Sequence, residues 1–179
     1  EEYVSHNPVA LIRQKSKYIR QRQTNAPVRR LSAQQWQAMI DASEGLALVD
    51  PKQHERTHFM LNMLYGLYLR ISELSASARW TPTMNDFFKD HHEHWWFKTV
   101  GKGNKERVIA VSDDMLSKLT RWRIHLGLTP LPTPDDNSPM LPKIRGNGPM
   151  SDTAPLRRII QIVFDAACDL LQSQGEQEQ

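Results

Sequence analysis

The chain of 179 residues has one cysteine, Cys168, which rules out an internal disulfide framework. A lone thiol suits a reducing cytoplasm, and its expected setting is that of a small buried residue on a helix. No run of 18 apolar residues occurs, which excludes a membrane-spanning helix. The opening Glu-Glu-Tyr has no apolar signal core, so nothing marks secretion, and the missing initiator Met suggests a fragment or a processed chain. There is no internal repeat, and no Gly-x4-Gly-Lys-Ser/Thr phosphate loop. The His91-His92-Glu93-His94 cluster invites a metal hypothesis, but no second cluster supplies further ligands. A solvated strand entry is the expectation there, with neither metal nor cofactor.

Positive charge is unevenly placed. Residues 1–30 hold Arg13, Lys15, Lys17, Arg20, Arg22, Arg29 and Arg30 against Glu1 and Glu2, a net of +5 within a chain whose formal charge is +3. The remainder of the chain is therefore near neutral. A basic arm before a neutral globule points to a polyanion such as duplex DNA, with a solvated linker as the plainer alternative. The domain boundary is expected just before Leu31, giving an arm over 1–30 and a folded domain over 31–179.

The remaining pattern predicts a mainly α fold with a small antiparallel β-sheet. Leu31-Ser32-Ala33-Gln34-Gln35-Trp36 reads as a helix start, with Ser32 as cap and Gln35 reaching back. That helix is expected to stop near Ser43-Glu44-Gly45. A second, densely apolar helix is expected over Lys52–Leu69, and a short one over Ile71–Ala78. The runs Trp95–Val100 and Glu106–Val111, joined by a Gly/Asn-rich turn, predict a β-hairpin, with a third short strand around Met84–Phe88. Ser112 should cap a helix over Asp113–Leu126 that Gly127 ends. Thr129–Met150, with six prolines, reads as a long loop, and Asp152 should cap a last helix over Thr153–Ser173.

Two stretches can carry chemistry. In Leu64–Leu74 nine of eleven residues are uncharged, and the exceptions are Arg70 and Glu73. A guanidinium in so apolar a run needs a carboxylate partner or an anion. Glu73 either pairs with Arg70 structurally or aims it at something negative. The second stretch is the hairpin turn Gly101-Lys102-Gly103-Asn104-Lys105-Glu106-Arg107, whose glycines let backbone approach a ligand. By itself it also fits an ordinary exposed basic turn.

Together, Leu67-Tyr68-Leu69-Arg70-Ile71-Ser72-Glu73-Leu74 and Val100-Gly101-Lys102-Gly103-Asn104-Lys105-Glu106-Arg107-Val108 resemble the tyrosine recombinases, or phage integrase family. The first resembles the family's first-arginine box, Thr-Gly-Leu-Arg-Ile/Val-Ser-Glu-Leu. The second resembles its lysine hairpin in the Xer-type form Gly-Lys-Gly-Asn-Lys-Glu-Arg. Arg70 and Lys102 stand in the family's order, 32 positions apart. The resemblance implies part of a recombinase catalytic domain, with Arg70 on a non-bridging phosphate oxygen, Lys102 as general acid to the leaving 5′-oxygen, and Glu73 bracing the site. Lys105, Arg107 and the seven arm cations would contact DNA. It also implies double-stranded DNA as partner, a parent that is tetrameric on DNA, and a cytoplasmic setting without membrane, metal or small-molecule substrate.

The departures are specific. Leu67-Tyr68 stands where the family has Thr-Gly. After Lys102 the family requires a His-x-x-Arg box and a nucleophilic tyrosine, yet the last histidine, His125, is followed three residues on by Leu128, and the last tyrosine is Tyr68. The parent would cleave and rejoin DNA strands through a 3′-phosphotyrosine; this chain lacks that nucleophile and is expected to be inactive alone. The alternatives are a naturally shortened DNA-binding relative and a protein-interaction module. An incomplete domain would leave apolar surface bare, with the last helix displaced or dimerising in compensation.

Overall fold

Two helices set the frame, and the residue between them explains both. The computed structural model describes residues 31–101 and 103–177. The arm, with Arg13, Lys15, Lys17, Arg20, Arg22, Arg29 and Arg30, and the turn residue Lys102 lie outside the described residues. Helix α1 (Ala33–Val49) begins directly after Ser32, and α2 (Pro51–Gly66) begins two residues after α1 ends. Asp50 makes the break: its carboxylate accepts from the Gln53 N–H at 3.3 Å, and Pro51 follows at the first helical position, where its fixed φ suits entry. The stop expected at Ser43-Glu44-Gly45 does not occur. Ser43 Oγ donates to the Ile40 carbonyl of its own helix at 2.8 Å, and Gly45 faces open space. Glycine there costs about 1 kcal/mol of propensity. The helix continues through it, and Ala47 of the following turn is buried.

Helix α2 runs through the core, as its composition requires. Phe59, Met60, Leu61 and Met63 are buried, and Trp36 of α1 stacks on Tyr65 with ring centroids 4.1 Å apart. It ends at Gly66 rather than Leu69, because Tyr68 takes a left-handed φ of +50°. The helix expected over Ile71–Ala78 is a single 3₁₀ turn, Ile71–Glu73. Beyond it the Ala76 N–H donates to the Met150 carbonyl at 2.6 Å, which commits the backbone elsewhere.

Three antiparallel strands follow, in the order β1 (Phe87–Lys89), β2 (Trp95–Val100), β3 (Glu106–Ala110). Phe87 pairs with Phe97 in register, and both turn into the core with rings 4.5 Å apart. In the β2–β3 hairpin Thr99 opposes Arg107 and Val100 opposes Glu106. The strand expected from Met84 starts only at Phe87, since Asp86 folds back to accept from the Thr83 N–H at 2.8 Å and closes a 3₁₀ turn over Met84–Asp86. The histidine cluster lies in and just after the β1–β2 turn. Asp90 organises that turn, accepting from the backbone N–H groups of His92 and His94 and from the Trp96 indole. Among the described residues no group of side chains is arranged to hold a metal ion.

Helix α3 (Asp113–His125) is capped by Ser112, whose hydroxyl accepts from the Met115 N–H, and Gly127 leaves it at φ +74°. Its buried Trp122 stacks on Phe59 and donates to the Met140 carbonyl at 2.9 Å. Neighbouring Arg123, buried as well, pairs with Asp136 at 2.7 Å and donates to the Thr129 carbonyl. These two side chains pin the proline-rich loop against the body. Helix α4 (Thr153–Gln177) packs along α1 through Val163 and Ala167. Ile162, Phe164 and Leu170 on the same helix remain exposed. Cys168 is exposed, contrary to expectation. Ala167 occupies the inward position, and the next residue lies 100° round the helix. Residues Ala33–Gln179 group as one unit. Among the described residues no helix is long and apolar enough to cross a membrane.

A buried histidine joins α1 and α2. Because Ser43 Oγ already donates to Ile40, it accepts from His58 Nδ1–H at 2.8 Å, and His58 Nε2 then faces the Glu44 carboxylate at 3.3 Å. Burial pushes the His58 imidazolium below its ordinary value of 6.5, with Glu44 and Glu55 pulling up and Arg121 and Lys118 pushing down. The unfolded chain therefore binds this proton more readily. The His58 contribution is complete above pH 6.5 and is lost as pH falls below that through the lower folded-state value. Urea midpoints at pH 5 and pH 7 should differ in that direction, and His58→Gln should shrink the difference; an unchanged difference would refute the assignment.

Candidate functional site

The site begins with the backbone turn after α2. Tyr68, at φ +50° and 78% exposed, swings the chain out of the helix, and Arg70 follows in extended conformation. This is the position where the resembled family carries glycine, and the left-handed geometry is adopted without it. A non-glycine residue pays about 1–2 kcal/mol for that conformation. Tyr68→Gly should accordingly raise the unfolding free energy by about 1 kcal/mol, offset in part by glycine's looser unfolded state. Chemical denaturation checks this, and a clear loss of stability would refute the strain.

Glu73 is the centre of the arrangement. Its side chain is 3% exposed. Oε2 accepts from the Arg70 backbone N–H at 2.8 Å and from Arg107 Nη2 at 2.8 Å. Oε1 stands 3.6 Å from Arg70 Nη1 and has no hydrogen-bond partner. One carboxylate thus holds the 3₁₀ turn after α2 against strand β3. Arg107 hydrogen-bonds it from the hairpin side, and Arg70 keeps only the longer 3.6 Å ion pair, so its guanidinium N–H groups remain able to donate to a ligand. The Arg70 side chain is 65% exposed and points its guanidinium towards solvent-accessible space.

The hairpin turn comes to the same point. An ideal Cβ built on Gly101 would lie 2.9 Å from Glu73 Oε1 and 3.5 Å from Arg70 Nη1. Only a residue with no side chain fits there. The Gly101 N–H donates to the Lys105 carbonyl at 2.8 Å, and Gly103 and Asn104 close the turn at φ +78° and +59°. Sequence-distant Gly101 and Arg70 are therefore neighbours, and Lys102, the residue that follows Gly101, is outside the described residues. The Lys105 side chain is exposed, and Arg107 is partly exposed as well as paired.

Between turn and body opens a cleft of about 420 Å³, lined by Arg70, Ser72, Glu73, Ser77, Arg79, Trp80, Val100 and Gly101. Its one carboxylate is already paired with two arginines. The uncommitted polar groups are guanidinium and hydroxyl, so the cleft favours an anion whose oxygens accept several charge-assisted hydrogen bonds. Ser77, Arg79 and Trp80 were not legible as site residues: Ser75-Ala76-Ser77-Ala78-Arg79-Trp80 has neither periodicity nor a motif. No protein-family model and no curated protein sequence matches the chain.

Proposed function

We propose that the cleft at Arg70 binds a phosphodiester of double-stranded DNA, and that the chain is a DNA-binding portion of a site-specific tyrosine recombinase. The observation that carries the reading is the meeting of the two motifs: Gly101 of the hairpin turn abuts the Arg70–Glu73 pair so closely that a methyl group would clash. A phosphodiester attacked in line builds charge on its non-bridging oxygens, and a guanidinium already held in place stabilises that charge without reorganisation. In this reading Arg70 supplies that contact, Glu73 and Arg107 position it, and Lys102 gives a proton to the leaving oxygen. Lys105 and the arm cations add phosphate contacts that carry no sequence information.

The 179 residues contain no tyrosine after Tyr68 and no histidine after His125. The phosphotyrosine step of a recombinase, its DNA integration or exchange reaction and its tetrameric assembly on DNA belong to the parent activity in this proposal, which also places the protein in the cytoplasm. The chain itself binds duplex DNA and leaves it uncut.

Fluorescence anisotropy of a labelled duplex over a range of salt concentrations tests the reading. The logarithm of affinity should fall linearly with the logarithm of salt, and Arg70→Ala should flatten that slope by about 0.9, the share of one phosphate. A slope unchanged by Arg70→Ala would show that binding, if present, runs through other residues.

A further inference from the structure

The cleft is wider than one phosphate contact needs, and its far wall is built. Ser77 and Trp80 close a tight turn, the Ser77 N–H donating to the Trp80 carbonyl at 2.7 Å and the Trp80 N–H donating back to the Ser77 carbonyl at 3.3 Å. The Arg79 N–H donates to Ser77 Oγ at 3.3 Å inside that turn. The whole segment is anchored by the bond from Ala76 to Met150. Arg79 is thus carried at the cleft wall on a constrained backbone.

Of the arginines without an ion pair among the described residues, which also include Arg145, Arg157 and Arg158, Arg79 is the one that lines the cleft. Other arginines of the body are engaged: Arg121 with Glu44 and Glu55, Arg123 with Asp136, Arg107 with Glu73, and Arg56 with the Pro142 carbonyl. Among the described residues no carboxylate lies within ion-pair distance of Arg79. Trp80, on the same wall, keeps a buried indole N–H without a hydrogen-bond partner. The lining of the cleft therefore includes two arginines, Arg70 and Arg79, together with Ser72 and Ser77.

We infer that Arg79 holds a second phosphate of the same DNA strand, next to the one at Arg70. This rests on the reading of the cleft as a phosphodiester site and deepens it: the ligand is a run of backbone carrying at least two phosphates, not a single anion. The guanidinium and the hydroxyls fix the strand's path through the cleft, and Arg79 acts by positioning the phosphate that Arg70 contacts.

The same anisotropy series separates the two claims. Arg79→Ala should flatten the salt slope by about 0.9, and the double variant with Arg70→Ala by about 1.8, because two phosphates release their counterions independently. Arg79→Lys should restore the slope, since it restores the charge. Thermal unfolding of Arg79→Ala should match the parent chain, as the side chain has no ion pair to lose. If Arg70→Ala flattens the slope and Arg79→Ala does not, the second phosphate is refuted and the phosphodiester site stands. If the double variant equals Arg70→Ala alone, both arginines share one phosphate and the inference is refuted. If neither single variant changes the slope, the site reading fails as well.

Discussion

Glu73→Ala should lower the unfolding free energy by about 3 kcal/mol, the largest effect of any single substitution in the site. The cost is not the loss of two surface ion pairs, which would be worth a fraction of that. It comes from the carboxylate's position, 3% exposed, where it satisfies the Arg70 backbone N–H and the Arg107 guanidinium at 2.8 Å each. Removal leaves the part-buried Arg70 N–H without its acceptor and two arginines repelling across the gap. For a chain of this size the melting temperature should drop by roughly 6–12 °C. Glu73→Gln keeps the acceptor oxygen and most of the shape, so it should cost less than the alanine variant. Equal melting temperatures for Glu73→Ala and the parent chain would mean that the carboxylate holds nothing together.

Gly101→Ala should be nearly as damaging, for a steric reason. The added methyl would stand 2.9 Å from Glu73 Oε1, inside contact distance, and 3.8 Å from the Lys105 carbonyl. A free side-chain end could move aside at little cost. Here the other oxygen of the same carboxylate, Oε2, is held by two hydrogen bonds, so the turn must shift instead, at about 1–3 kcal/mol. The turn carries Lys102, and duplex affinity should fall with it. Gly103→Ala is the informative comparison. Gly103 sits at φ +78° with open space around it, so alanine there meets backbone strain of about 1 kcal/mol and no clash. Shortening the carboxylate should relieve the Gly101→Ala clash alone. Glu73→Asp and Gly101→Ala should therefore couple by at least about 0.5 kcal/mol in a double-mutant cycle. Strict additivity would mean that the two residues do not touch.

Much of the body follows from residue pattern, and the exceptions have identifiable causes. The hairpin was legible because β-prone runs flank a Gly/Asn turn, and α3 because Ser112 and Gly127 punctuate it. The end of α2 was not, since no propensity scale places tyrosine at a left-handed φ. The excess length of α1 hinged on Ser43, whose hydroxyl returns to its own helix instead of ending it. Trp122 and Arg123, which tie down the proline-rich loop, are indistinguishable in sequence from ordinary amphipathic helix positions. In the site, the Arg70–Glu73 pair was readable from spacing, and the glycine-lysine turn from its motif. That Arg107 reaches the same carboxylate depends on the strand register opposite Thr99. Arg79 and Trp80 become site residues only through a turn that replaces an expected helix.

The most direct test observes Arg70 itself. The side-chain Nε–H resonances of Arg70 and Arg123 can be followed by nuclear magnetic resonance as a short duplex is added. Arg123, buried and paired with Asp136, is the internal reference. The Arg70 resonance should shift and saturate with the duplex, and the shift should reverse when salt is raised, while that of Arg123 stays in place. An Arg70 resonance that does not move while the duplex is bound would contradict the account and assign DNA binding to the basic arm instead.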